Sequence, residues 1–337
     1  MRVLPEKRFS QRGHGGVKCL LVFLSLFWAT LSSKAAEHPV EVPAGLLRMG
    51  DGLLFPPFAL VVDKSKKKIH VVDNSTGQPS VIETYDSDLG KMAGDKHSTG
   101  DSRTPEGIYF LEQVLEGSAL DAYKYGAKAF VTNYPNFFDH RDGKSGFGIW
   151  LHAIDDSVTL ERGSKGCVVV RNNTIEKISH YITLNETPLM IFDKVQWQSP
   201  EIAKKDASDF LNLLGEWKKA WESKDINSYI GFYASDFKFG KMNLSTFKKY
   251  KQELAEKYKD IKISLSMPVI FAHNNKVIAR FFQDYSSSDH ADFGEKTLYL
   301  TKQNGVFKII NEDWREANDP KSKSFLAGSK LCCQTSN

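Results

Sequence analysis

The sequence predicts a mostly β domain with one short helix, followed by an α+β domain of three helices and an antiparallel meander. Three observations carry this. Short runs rich in Val, Ile and aromatic residues, separated by turn residues, fill positions 58–195. From 206 the apolar spacing changes to three and four, as a helix requires. After 260 the strand pattern returns without intervening helices. Helices separate the first set of strands too rarely for a doubly wound sheet, so a largely antiparallel barrel or sandwich is expected there. A length of 337 residues fits two domains better than one.

The leader comes first. Residues 1–36 carry Arg2, Lys7, Arg8, Arg12, Lys18 and Lys34 against Glu6 alone, a balance of +5 in a chain whose formal charge is +4. Residues 37–337 therefore carry −1. A nucleic-acid binder should be basic in its folded body, so no nucleic-acid partner is expected. The basic residues precede an apolar run, Cys19 to Leu31, and small residues follow to Ala36. This reads as a signal peptide over 1–36, with the cell envelope or periplasm as destination. The run is short against the roughly 20 apolar residues of a membrane span. Membrane attachment is expected only through the leader, were it left uncleaved. In an oxidising compartment Cys167 has no obvious partner, because Cys332 and Cys333 are adjacent and near the C-terminus. A lone cysteine there is either buried and inert or kept for its reactivity.

Residues 37–57 read as a linker or a lead-in over the first domain, 58–195. Its strands are expected at 58–63, 69–73, 80–85, 107–111, 129–132, 148–152 and 189–192, with one helix from Thr174 to Tyr181. Residues 196–205 read as a second linker. In the domain 206–316, Asp206 or Ser208 can cap a helix with Phe210, Leu213, Leu214, Trp217 and Trp221 on one face. Helices at 225–233 and 245–258 follow, then strands at 261–266, 276–285, 296–302 and 306–311. Asn304-Gly305 marks a hairpin between the last two. Residues 317–337 are polar and read as a flexible tail.

The chemistry concentrates at Gly163-Ser164-Lys165-Gly166-Cys167-Val168. Small residues lead to a cysteine, and a β-branched run begins behind it. Gly166 lets backbone N–H groups approach a substrate carbonyl, as an oxyanion hole requires. His152 ends an apolar strand fifteen residues upstream. A histidine there can pair with an exposed cysteine, or both residues can be structural.

Residues 58–193 resemble the L,D-transpeptidase catalytic domain, also called the YkuD-like domain. The matching residues are His152, then Ser164-Lys165-Gly166-Cys167, with Thr104-Pro105-Glu106-Gly107-Ile108-Tyr109 as strand entry. Gly94-Asp95-Lys96 and Gly100-Asp101 match the polar loop before it. The resemblance implies that Cys167 attacks a carbonyl of the peptidoglycan stem tetrapeptide, releasing D-alanine and leaving an acyl-enzyme. His152 would be the general base and later the acid. The N–H of Cys167, with that of Gly166, would hold the oxyanion. Lys165 or Arg162 would meet a stem carboxylate, or stand as a solvated surface cation. Ala153, Lys165 and Val169 depart from the common pattern of Gly, His and Arg. The Ser-Lys-Gly-Cys-Val variant, followed by Asn172 and Asn173, looks like the subgroup that trims stems. Residues 206–316 look like the cone-shaped domain of nuclear transport factor 2, and cell-shape-determining LD-carboxypeptidases join these two domains. The resemblance thus implies a carboxypeptidase acting on peptidoglycan without a cofactor, with a crosslinking transpeptidase as the alternative. A module that only binds the wall is the third reading.

Rival chemistries are poorly supported. The nine histidines show no tight zinc-ligand spacing, so no metal is expected. Ser65-x-x-Lys68 lacks the companion motifs of a penicillin-binding serine enzyme. His97 and His140 lie in polar loops. In the second domain Arg280, Asp284 or Tyr285 can line a pocket, or its aromatics can be core. A gripping role toward the sacculus or a protein partner is expected there, and 206–337 should be dispensable for trimming soluble muropeptides.

Overall fold

The computed structural model describes residues 41–303 and 305–317, together with Lys323. The leader, the hairpin residue Asn304 and the terminal cysteines lie outside the described residues. Among the described residues no helix is long and apolar enough to cross a membrane.

A short strand, β1 (Leu46–Arg48), precedes the eight strands of the first sheet. These are β2 (Phe58–Asp63), β3 (Lys68–Asp73), β4 (Ser80–Asp86), β5 (Gly107–Glu116), β6 (Lys128–Thr132), β7 (Trp150–Ile154), β8 (Val168–Arg171) and β9 (Pro188–Phe192). Three short helices interrupt them: α1 (Ala122–Tyr125), α2 (Phe137–Arg141) and α3 (Asn172–Ser179). The strand order is β4-β3-β2-β9-β5-β6-β7-β8. Most neighbours are antiparallel, as expected, but β2–β9 and β7–β8 are parallel. The second exception builds the site.

The second domain begins with α4 (Pro200–Glu222), α5 (Ile226–Gly231) and α6 (Leu244–Lys257). Strands β10 (Lys262–Leu265), β11 (Val269–His273), β12 (Lys276–Ser286), β13 (Ala291–Gln303) and β14 (Val306–Glu316) follow. Asp225 caps α5 by accepting from the Ser228 N–H, and Asn243 caps α6 through the Thr246 N–H. The sheet runs β14-β13-β12-β11-β1, with β10 also on β12. The sequence reading missed β11, whose five residues are hidden between two longer strands.

Of the two readings of 37–57, the packed lead-in holds over the linker, and the linker reading of 196–205 is corrected. Within 37–57, β1 completes the edge of the second sheet, and Val42–Pro43 pairs with Trp197–Gln198. Val42, Leu46, Met49 and Phe55 are buried, so this segment straps the two domains together. Of the expected linker 196–205, residues 200–205 are already helix, with Pro200 in the first turn, where its missing N–H costs nothing.

Period-two alternation explains why both sheets look apolar throughout. In β2, Leu60 and Val62 face the first domain's core with Ile175 and Ile178 of α3, while Ala59 and Val61 face the other way. In β12, Val277, Ala279 and Phe281 face the helices, while Ile278 and Phe282 meet Ala59, Ile108, Phe110 and Met190. One shared core therefore lies between the two sheets. The aromatics Trp217, Trp221, Tyr229 and Tyr233 are buried in the cone. There Trp217 Nε1–H donates to the Tyr233 hydroxyl at 3.0 Å, and that hydroxyl donates to Glu312 at 2.9 Å. Lys296 pairs with the same carboxylate.

Candidate active site

The parallel pair β7–β8 sets the geometry. Leu151 lies opposite Val168, and His152 opposite Val169. Alternation sends Leu151, Ala153, Val168 and Val170 into the core. His152 and Val169 therefore share the opposite face, and Cys167, two residues before Val169, falls on that face too. The fifteen-residue separation in sequence becomes one step across a parallel ladder.

His152 is buried, at 4% exposure. Its Nδ1 lies 2.5 Å from the Ala153 carbonyl oxygen, which can only accept, so Nδ1 carries the proton and Nε2 is free to act as a base. The Tyr125 ring from α1 meets the imidazole edge-on, with centroids 5.2 Å apart, and also packs on Trp150. Gly126, at φ +65°, permits this approach: a β-carbon there would lie 2.4 Å from that of Ala153. Burial pushes the imidazole down to about 4, helped slightly by the charge of Arg162 and opposed by the Ala153 carbonyl.

Cys167 is half-buried, and its thiol donates to the Gly148 carbonyl at 3.5 Å. Burial pushes the thiol up to about 11, while the Trp150 N–H and the Lys96 ammonium pull it back. Both shifts have burial as their main cause and favour the uncharged forms, a thiol beside a neutral imidazole.

The turn before the sulfur is built by Ser164 and Gly166. The Ser164 hydroxyl donates to the Cys167 carbonyl at 2.7 Å and accepts the Gly166 N–H at 3.0 Å. This corrects the expectation for Gly166: its N–H is committed to Ser164 and is not an oxyanion donor. The Cys167 N–H makes no turn or side-chain hydrogen bond among the described residues. A strap, Asp88–Lys91, lies along the turn and the outer edge of β8. Ser164 N–H donates to Leu89 O at 2.7 Å, Lys91 N–H to Ser164 O at 3.0 Å, and Gly163 N–H to Asp88 Oδ2 at 2.6 Å. Beside it opens a groove of about 410 Å³, lined by Lys64, Lys91, Arg162, Asp88, Glu161 and Asp193 among others.

The five residues singled out in sequence, His152, Ser164, Lys165, Gly166 and Cys167, fall on this one strand and turn. Lys165 and Arg162 are exposed and make no ion pair among the described residues. Arg171 donates to the Val158 carbonyl at 2.7 Å and serves the loop there. His97 and His140 are exposed. In the second domain Tyr285 belongs to the cone's core, the second of the two alternatives allowed from sequence, and Arg280 reaches the Asn185 carbonyl of the first domain. Sequence reasoning missed Tyr125 and the role of Asp88, which carry no motif. It noted Lys96 and Asp101 without giving them a role. Among the described residues no cluster of three His, Cys, Asp or Glu side chains is placed to hold a metal ion.

Residues 57–196 match the L,D-transpeptidase catalytic domain (YkuD), and residues 209–313 match the Cds6 C-terminal NTF2-like domain. No curated protein matches the chain. Among solved structures, Bd1075 of Bdellovibrio bacteriovorus is 42% identical, with 83% of this chain and 99% of that one covered and a TM-score of 0.76. The helical cell shape determining protein Pgp2 of Campylobacter jejuni is 28% identical over 78% of this chain and 96% of its own, with a TM-score of 0.62. A point mutant of that protein gives 27% identity, 81% and 100% coverage and a TM-score of 0.63.

Proposed function

Because this chain belongs to the peptidoglycan-acting L,D-transpeptidase (YkuD) family that also carries a C-terminal NTF2-like domain, we propose that it is an exported LD-carboxypeptidase that trims stem tetrapeptides with Cys167 as nucleophile. One observation carries the residue assignment. Cys167 and His152 share a face of a parallel strand pair, and the Ala153 carbonyl holds the imidazole with Nε2 unprotonated.

The steps follow from that arrangement. Nε2 of His152 takes the thiol proton as the sulfur attacks the carbonyl before the terminal D-alanine. The Cys167 N–H stabilises the tetrahedral oxyanion, an effect worth roughly 3–4 kcal/mol. The imidazolium then gives its proton to the leaving amine, and a thioester remains. His152 next deprotonates water, which attacks the thioester and releases the tripeptide and the free thiol. Burial favours this neutral start, since a permanent ion pair would have to be desolvated. The groove of mixed charge beside the turn suits a stem that carries both carboxylates and an ammonium.

The leader supports action in the periplasm or cell envelope, and the likeness to Pgp2 supports an effect on cell shape. The second domain would grip the sacculus or a protein partner. The test is incubation of the leaderless chain with purified tetrapeptide muropeptides, read by mass spectrometry. A tripeptide that disappears in Cys167→Ala is the expected result. A 3-3 linked dimer would assign the chain to crosslinking instead, and no product from either protein would overturn the enzymatic reading.

A further inference from the structure

The segment Gly94–Glu106 leads into β5 and packs against the motif turn. Three lysines, each with a side chain only 4–7% exposed, hold it. Lys64 reaches in from the end of β2 and donates to Gly94 O, Thr104 O and Glu106 at 2.7–2.9 Å. Lys144 bridges Asp95 at 2.6 Å to Asp139 at 3.2 Å, and so ties the segment to α2. These two have evident structural work. Lys96 differs. Its partners, Asp101 at 2.6 Å and the Ser98 carbonyl at 3.1 Å, both lie in its own loop. Asp101 already closes that loop by accepting the N–H groups of His97, Ser98 and Arg103. A buried ammonium that fastens nothing new still costs several kcal/mol of desolvation, so its charge calls for another use.

Its position supplies one. The end of the Lys96 chain lies under Gly146, where a β-carbon would come within 3.2 Å of Cε and 3.7 Å of Nζ. The adjoining Ser145 N–H donates to the His97 carbonyl at 2.9 Å. Two residues beyond Gly146, the Gly148 carbonyl receives the Cys167 thiol. From the other end of the loop, the Arg103 carbonyl backs Gly166, next to that cysteine. The Lys96 loop thus backs both the Ser145–Gly148 segment that receives the thiol and the Gly166 that precedes it, and two of the three N–H donors of the Lys96 ammonium are committed.

We propose that Lys96 is a positioning residue whose ammonium stabilises negative charge on the Cys167 sulfur, with Asp101 holding it in place and moderating its field. The inference rests on the preceding functional reading only for the use made of the thiolate. The other charged or titratable groups around the sulfur are His152 on β7, with Tyr125 against it, Arg162 in the preceding turn and exposed Lys165 in the motif. Lys144, in the Gly143–Gly148 segment, is paired with Asp95 and Asp139. Of the charged side chains, Lys96 is the one that draws the thiol back toward its ordinary range.

The test reads the thiol and not the reaction, so its failure is separate from failure of the carboxypeptidase assignment. The full chain is alkylated with iodoacetamide from pH 7 to 10, and modification of Cys167 is followed by peptide mass spectrometry. Lys96→Met removes the charge, with Lys96→Gln as a second variant if the first does not fold. Asp101→Asn removes the moderating carboxylate. The proposal expects the thiol pKa to rise about one unit without Lys96 and to fall with Asp101→Asn. One unit means tenfold less thiolate, partly offset by higher intrinsic nucleophilicity, for a net rate loss of about threefold to fourfold. Lys96→Arg should restore the profile. A purely structural role predicts otherwise: loosening the loop hydrates the sulfur and lowers its pKa in every variant. An unchanged or lowered thiol pKa without Lys96 therefore overturns the proposal.

Discussion

The Arg280 guanidinium on β12 donates to the Asn185 carbonyl at 2.7 Å, joining the sheet of the second domain to a turn of the first. The same side chain pairs with Glu295 at 2.6–2.7 Å and lies over the Phe110 ring, 4.8 Å from its centroid. Arg280 and Glu295 are 5% and 6% exposed. A buried carboxylate needs its partner, so this fork ties catalytic-domain geometry to the neighbouring sheet.

Arg280→Met should destabilise the protein by about 3 kcal/mol, the lower end for breaking a buried pair, because Arg315 still reaches Glu295. Arg280→Lys should lie between, since it keeps the charge but loses the fork. Thermal and urea unfolding measure both. A Met variant as stable as the parent would remove Arg280 from the list of contacts that hold the domains together.

Deleting residues 206–337 bears on the same boundary. Sequence alone treats that segment as dispensable for trimming soluble muropeptides. In the structure its β11 and β12 bury the second face of the catalytic sheet, where Ile108, Phe110 and Met190 meet Phe271, Ile278 and Phe282. At about 1.5–3 kcal/mol per large apolar side chain, exposing the three that remain, Ile108, Phe110 and Met190, would offset much of a typical 5–15 kcal/mol stability. The truncated chain should aggregate or unfold on expression. A soluble, cooperatively folding 41–205 fragment would contradict the shared core.

How much was legible follows from locality. His152 and the Ser164–Cys167 turn were readable because each is a short motif and strand alternation places both on one face. The direction of Arg280 was not, since both faces of β12 are apolar and period two cannot say which one is interior. Tyr125 sits on a single helical turn, and its partner His152 lies 27 residues away, so no periodicity connects them. The strap role of 41–57 was hidden because Pro and Gly suggest a linker while the buried Val42, Leu46 and Phe55 are too sparse for a strand pattern.

Acid should weaken the fold through two histidines. Burial holds His152 and His273 each at about 4, well below the 6.5 of an exposed imidazole. The unfolded chain then binds more protons between these values, so stability is present above pH 6.5 and is lost as pH falls toward 4. Each group contributes up to about 3 kcal/mol over that window. The urea midpoint should drop steadily from pH 7 to pH 4.5. His273→Asn, away from the site, should remove about half of the drop, and a pH-independent midpoint would show that the imidazoles are not buried neutral.

Gly166→Ala tests the turn itself. At φ +130° the added β-carbon would lie 2.7 Å from the Arg103 carbonyl oxygen and 2.9 Å from Ile149 Cδ1. The side chain of Ile149 can yield, but the carbonyl belongs to backbone anchored next to Asp101, and the φ value itself disfavours any side chain. The turn must therefore move, and Cys167 is the next residue. The strain should cost about 1–3 kcal/mol of stability. A displacement near 1 Å at the sulfur should cost about a hundredfold in kcat/KM on tetrapeptide, because attack depends on close approach along a fixed line. Ser164→Ala should act in the same direction but more weakly, since it loses two hydrogen bonds without adding a clash. Kinetics on both variants, with Tm as the control for folding, give the answer. Parental activity in Gly166→Ala would mean that the turn does not position the sulfur.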